Sequence, residues 1–135
     1  MAKTEPKQRL VKLNELLVTK LMTFDDRNDY PVFGNSISKD EQQQIGMNYM
    51  IYSTGDFTKA PDQNDDYTFN QAVYVTYVSE NRGFLDGDIL DIMSLIKSAN
   101  HKVTNVTKEN RQLENQDRYI DIAIFECSRL VKVGC

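Results

Sequence analysis

Tryptophan is absent from this 135-residue chain, histidine occurs once, and there are two cysteines and three prolines. One histidine and two cysteines cannot supply the clustered ligands or paired spacings of a zinc site. A Ser/His/Asp or Cys/His centre would have to use His101, placed by its neighbours Asn100, Lys102 and Val103 in a helix-to-strand turn and read here as a solvated turn residue. The six glycines form neither a phosphate-binding loop nor a dinucleotide fingerprint, and no Gly-x-Ser-x-Gly elbow occurs. Basic residues are also short: 16 against 20 acids leave a net charge of −4, which argues against a general nucleic-acid binder. No apolar run approaches the ~20 residues that span a bilayer. The first residues lead into an amphipathic segment rather than the apolar core of a signal peptide. Cys127 and Cys135 are too close in sequence for an easy bridge, and both are expected as thiols, Cys127 buried and Cys135 exposed.

What is present is the composition of a single α+β domain, 40% hydrophobic and 27% charged. Leu10, Leu13, Leu17 and Leu21, widened by Leu16, recur at spacings of three and four and predict a helix over 6–22, with Thr4 as cap and Pro6 in the first turn. Residues 23–46 lack a period and read as an extended connector. Aromatic and β-branched content predicts a strand over 47–53. A second strand over 67–79 places Phe69, Val73, Val75 and Tyr77 on one face and Ala72, Tyr74, Thr76 and Val78 on the other. With two apolar faces it is either central in its sheet or covered by a neighbouring subunit. Leu85, Ile89, Ile92, Met93 and Ile96 predict a helix over 86–99, capped by Asp86 and stopped by Asn100. Extended segments over 101–107 and 117–131 close the chain, joined by a polar turn from Lys108 to Gln112. The expected fold is two helices on a largely antiparallel four-stranded sheet, in the order α–β–β–α–β–β, with flexible ends at 1–5 and 134–135 and long loops at 25–46 and 54–66.

Charge is unevenly spread. Residues 25–66 hold nine acids against three bases, whereas residues 1–24 hold five bases against two acids. Opposite patches on one small domain suit contact between copies or with a partner. The stretch 54–66 is too long for an ordinary hairpin connection and marks a functional or disordered loop. Asp62, Asp65 and Asp66 in it could hold a divalent ion weakly, but solvated acids explain them more simply. Asp86, Asp88 and Asp91 do not form a calcium loop, since Ile89 and Leu90 interrupt the oxygen ligands. Tyr49, Tyr52, Tyr67, Tyr74 and Tyr77 cluster in or beside the first strand pair. Strand propensity accounts for them, and so does an inter-subunit face that uses tyrosine for contact area with a polar end.

The order of segments, with Tyr74–Gly83, Leu85–Met93 and Asp117–Phe125, resembles the tail-terminator and head–tail joining (tail completion) proteins of long-tailed bacteriophages. The resemblance covers most of residues 6–133. It implies a structural virion protein without enzymatic activity or cofactor, assembled in the host cytoplasm into a ring, expected as a hexamer, at the head-proximal end of the tail. Such a ring caps the tube and docks on the head connector, so the implied partners are further copies, the tail-tube protein and the connector or stopper protein. DNA only passes through the lumen, and no membrane is involved. A tail-tube subunit or a connector stopper of the same assembly is the near alternative, and a host-protein-binding module the distant one. Candidate interface or lumen residues are Asp56, Phe57, Asp62, Asp65, Asp66, Tyr74, Tyr77, Lys108 and Arg111.

Overall fold

The computed structural model describes residues 5–24, 30–34, 48–60, 68–80, 84–112 and 119–132. Along the chain these form helix α1 (Glu5–Met22), strands β1 (Val32–Gly34), β2 (Tyr49–Lys59) and β3 (Thr68–Ser79), helix α2 (Leu85–Ser98), and strands β4 (Lys102–Gln112) and β5 (Tyr119–Lys132). The class is α+β, as the periodicity predicts. The sheet, however, has five strands rather than four, in the spatial order β1-β2-β3-β5-β4, and is mixed. Among the described residues the order along the chain is therefore α–β–β–β–α–β–β.

The added strand is β1, inside the stretch read as a connector. It pairs in parallel with β2, Val32 opposite Met50 and Gly34 opposite Tyr52. The Met50 amide also donates to the Pro31 carbonyl at 2.9 Å. Three residues are too few to show an alternation, and their partners lie across a long crossing, so no local pattern announces them. β2 likewise runs six residues past its expected end. Its ladder with β3 jumps from Thr54↔Val73 to Phe57↔Gln71, so Gly55 and Asp56 face Ala72 alone in a β-bulge. The bulge resets the two-residue period and hides the continuation. Glycine fits because a Cβ there would sit 3.1 Å from the Tyr74 ring and 3.2 Å from the Ala72 methyl. Residues 54–59 are thus strand rather than loop.

Lys108–Gln112, expected as a turn, complete β4, paired with β5 from Lys108↔Ala123 to Gln112↔Tyr119. β4 is a sheet edge, and its exposed polar and charged side chains discourage unspecific edge-to-edge pairing. The start of α2 also differs: Phe84 occupies the cap position without a side-chain cap, and Asp86 lies in the first turn, where the helix dipole favours its charge. Asn100 does end the helix, with a left-handed φ of 63° that asparagine tolerates. Thr4 and Cys135 lie outside the described residues.

β3 is central, flanked by β2 and β5 in antiparallel register. Both helices cover one sheet face, where Leu17, Leu21, Ile89, Ile92 and Ile96 pack onto Met50, Val73, Val75, Tyr77, Ala123 and Phe125. A smaller cluster of Tyr49, Val78, Ile120 and Ile122 lies on the other face. The two clusters explain why β3 reads as apolar on both sides. Phe24, Tyr30 and Tyr77 meet edge-to-face or tilted, with centroids 5.1 to 6.4 Å apart.

Candidate interaction surfaces

The candidate residues read from the sequence do not converge. Asp56 sits in the β2 bulge and Phe57 just beyond it, both exposed, with Tyr74 beside them across Gly55. Lys108 and Arg111 project from opposite sides of β4, since their partners Ala123 and Ile120 belong to opposite faces. Lys108 reaches α2 and pairs with Asp86 at 3.0 Å, and Arg111 meets Glu109 at 3.3 Å, each pair in open solvent. Tyr77 is a correction. Its side chain is wholly enclosed, its hydroxyl donates to Asp88 Oδ2 at 2.8 Å, and burial followed by that bond pushes its pKa upward. An enclosed ring offers no contact surface, so Tyr77 belongs to the core. Asp62, Asp65 and Asp66 lie outside the described residues.

Sequence reasoning missed a polar cluster at the other end of the helix-covered face. β5 continues past the start of β4, because Lys102 already pairs with Ser128, and Arg129–Lys132 have no partner on that side among the described strands. The resulting notch, about 820 Å³, is lined by Asn70, Asn100, His101, Lys102, Thr104 and Arg129 among others. Arg129 is only 3% exposed. Its Nε and Nη2 both donate to Gln71 Oε1, at 2.9 and 2.7 Å, and its Nη1 lies 3.4 Å from His101 Nε2.

His101 is buried too, which corrects its reading as a solvated turn residue. Its Nδ1 lies 2.7 Å from the Ala99 carbonyl, which can only accept, so Nδ1 carries the proton and Nε2 is left as the acceptor facing Arg129. Burial holds its pKa below the usual 6.5, and the nearby guanidinium adds to the effect. The imidazole is therefore neutral, and a guanidinium is held inside the fold by three bonds to neutral groups. The only available signal was phase: Ala123, Phe125, Cys127 and Val131 occupy buried inward positions of β5, and Arg129 is the charged letter between the last two.

Beside the notch lies a shallower groove of about 410 Å³, floored by Leu10, Leu13 and Leu16 of α1 and Leu130 and Val131 of β5, and rimmed by Arg9, Lys12 and Lys132. No aspartate or glutamate is found among the described residues lining either depression. Leu130 is 54% exposed. The outer side of α2 has the opposite character. Phe84 and Leu90 are 72% and 64% exposed and stand with exposed Asp86 and Asp91. A basic apolar depression and an acidic apolar ridge thus occur on one small domain.

Among the described residues no three histidine, cysteine or carboxylate side chains gather in a way that could hold a metal ion. No described helix is long and apolar enough to cross a membrane. Cys127 is buried, donates weakly to the Phe125 carbonyl at 3.6 Å, and has its thiol pKa pushed up to about 12 by burial, so it is no nucleophile in the folded chain. The chain matches no family model and no curated protein.

Proposed function

We propose that this protein is a structural subunit that assembles head to tail into a closed ring, serving as the terminator and head-joining ring of a bacteriophage tail. The observation that carries the reading is the pair of unlike surfaces on one chain. The groove of Leu10, Leu13 and Leu130 rimmed by Arg9, Lys12 and Lys132 complements the ridge of Phe84, Leu90 and Asp91 in both charge and apolar character. Unlike surfaces on every copy make a heterologous contact, and such a contact closes into a ring when its rotation fits. The order of segments, with an additional short parallel strand, supports the phage assignment through the likeness of its helices, central hairpin and closing strand pair.

On this reading the chemistry is steric and electrostatic. One side of the ring meets the tail tube and the other the head connector or stopper, and a chain of net charge −4 gives DNA little to adhere to as it passes. Electron micrographs of the purified protein, alone and with tail tubes, test the proposal. Closed rings and capped tubes are expected. Long filaments of the protein alone would reassign it as a tube subunit, and a monomer that ignores tubes would reject the assembly role.

A further inference from the structure

The Arg129 guanidinium carries a full charge inside the fold, and among the described residues no carboxylate pairs with it. A guanidinium has five N–H donors. Three are engaged, two by Gln71 Oε1 and one by His101 Nε2, and every one of those partners is neutral. Burying an unpaired ion is costly, whereas the same ion next to an anion recovers much of that cost in a medium of low polarity. A purely architectural role would be served more cheaply by an apolar residue on this inward phase of β5, as Phe125 and Val131 serve there.

The surroundings are suited to an anion. The notch holds about 820 Å³ and opens where β5 outruns β4. Lys102 stands exposed among its lining residues, and Asn70, Thr104 and Ser128 supply neutral polar groups. His101, pinned by the Ala99 carbonyl, fixes the guanidinium from one side while Gln71 fixes it from another, a preorganisation that leaves the remaining N–H pair for a ligand.

We infer that this notch is a binding site for one oxyanion, a phosphate or a carboxylate, received by Arg129 at the sheet edge, with the charge of Lys102 on its rim. Two sources share that chemistry. One is free phosphate ion. The other is an acidic side chain of a second copy, delivered beside the adjoining apolar groove, and this source alone rests on the ring reading.

The test is a titration of the full-length protein with inorganic phosphate, against chloride at equal ionic strength, followed by the Arg129 Nε–H signal in a nitrogen–proton correlation spectrum. A saturable shift is expected. Lys102→Ala, at an exposed position, should weaken phosphate binding about fivefold, the size of one solvent-exposed charge contact. Arg129→Gln should abolish it with the circular dichroism spectrum retained; should that variant not fold, the wild-type signal and the Lys102 variant still decide. No saturable shift, or equal phosphate affinity in both variants, overturns the site. Sedimentation in the same titration separates the sources: a mass that falls as phosphate saturates assigns the site to a neighbour's carboxylate, and an unchanged mass assigns it to the free ion. Rings without phosphate binding would sink the site and leave the ring, while a monomer that binds phosphate would do the reverse.

Discussion

Tyr77 and Arg129 occupy equivalent inward positions on two neighbouring strands, each buried on the helix-covered face and each carrying a polar head, yet they are handled in opposite ways. The Tyr77 hydroxyl is neutral, lies in an aromatic cluster with Phe24 and Tyr30, and donates to Asp88 in the first turn of α2. Its bond ties the sheet to a helix and needs nothing from outside. Arg129 carries charge, is hydrogen-bonded among the described residues by the amide of Gln71 and the neutral ring of His101, and borders an open notch. The first arrangement is complete in itself, and the second holds a charge with no counter-charge among the described residues. A buried polar group thus signals architecture when it is neutral and bonded, and a site when it is charged with no counter-charge beside it.

That contrast can be broken or sharpened experimentally. Tyr77→Ala should have the largest effect, about 3–5 kcal/mol of stability in a denaturant titration, because it removes an enclosed aromatic ring from the centre of the sheet. Tyr77→Phe keeps the ring and loses the tie to Asp88, and should cost about 1 kcal/mol. Arg129→Met removes a buried charge but leaves the buried acceptors Gln71 Oε1 and His101 Nε2 unpaired, and the two effects should nearly offset to a net cost of about 1 kcal/mol in phosphate-free buffer. A loss of several kcal/mol there would make Arg129 an architectural residue like Tyr77.

Acidification probes the same cluster. The folded pKa of His101 lies below its unfolded value of 6.5, so the unfolded chain binds the extra proton first. Stability contributed by the neutral imidazole is whole above pH 6.5 and is lost as pH falls through 6.5 toward the lower folded value. Melting curves between pH 7.5 and pH 5 should show this decline, and His101→Asn should flatten it. The smallest effect belongs to Lys108→Ala, which removes an ion pair whose side chains are 54% and 66% exposed; screening should hold its cost below about 0.5 kcal/mol.

The leucine stripe of α1, the isoleucine stripe of α2 and the two-faced apolar pattern of β3 were legible in the sequence because each is a local period set by burial. The fifth strand, the continuation of β2 and the end of β4 were not. β1 is too short for a period and pairs in parallel across a long gap, the bulge at Gly55 and Asp56 breaks the phase of β2, and the last residues of β4 follow β5 along a solvent edge without burying an apolar row. The exposed candidates Asp56, Phe57 and Tyr74 could be read as surface, whereas Tyr77, its neighbour in kind, is core. The Arg129 cluster depends on a contact between Gln71 and a residue 58 positions away, created by the β3–β5 register. No local pattern encodes such a meeting.

The central claim is that unlike surfaces on each copy join head to tail, and mixing two surface variants tests it most directly. Leu90→Glu spoils the ridge and leaves the groove, and Leu130→Glu does the converse. Light scattering should give the 15.6 kDa monomer mass for each variant alone, and an equal mixture should give a species of twice that mass, because one intact ridge can meet one intact groove and growth then stops. Wild-type rings from either variant alone, or a mixture that remains monomeric while the wild type forms rings, would contradict the account.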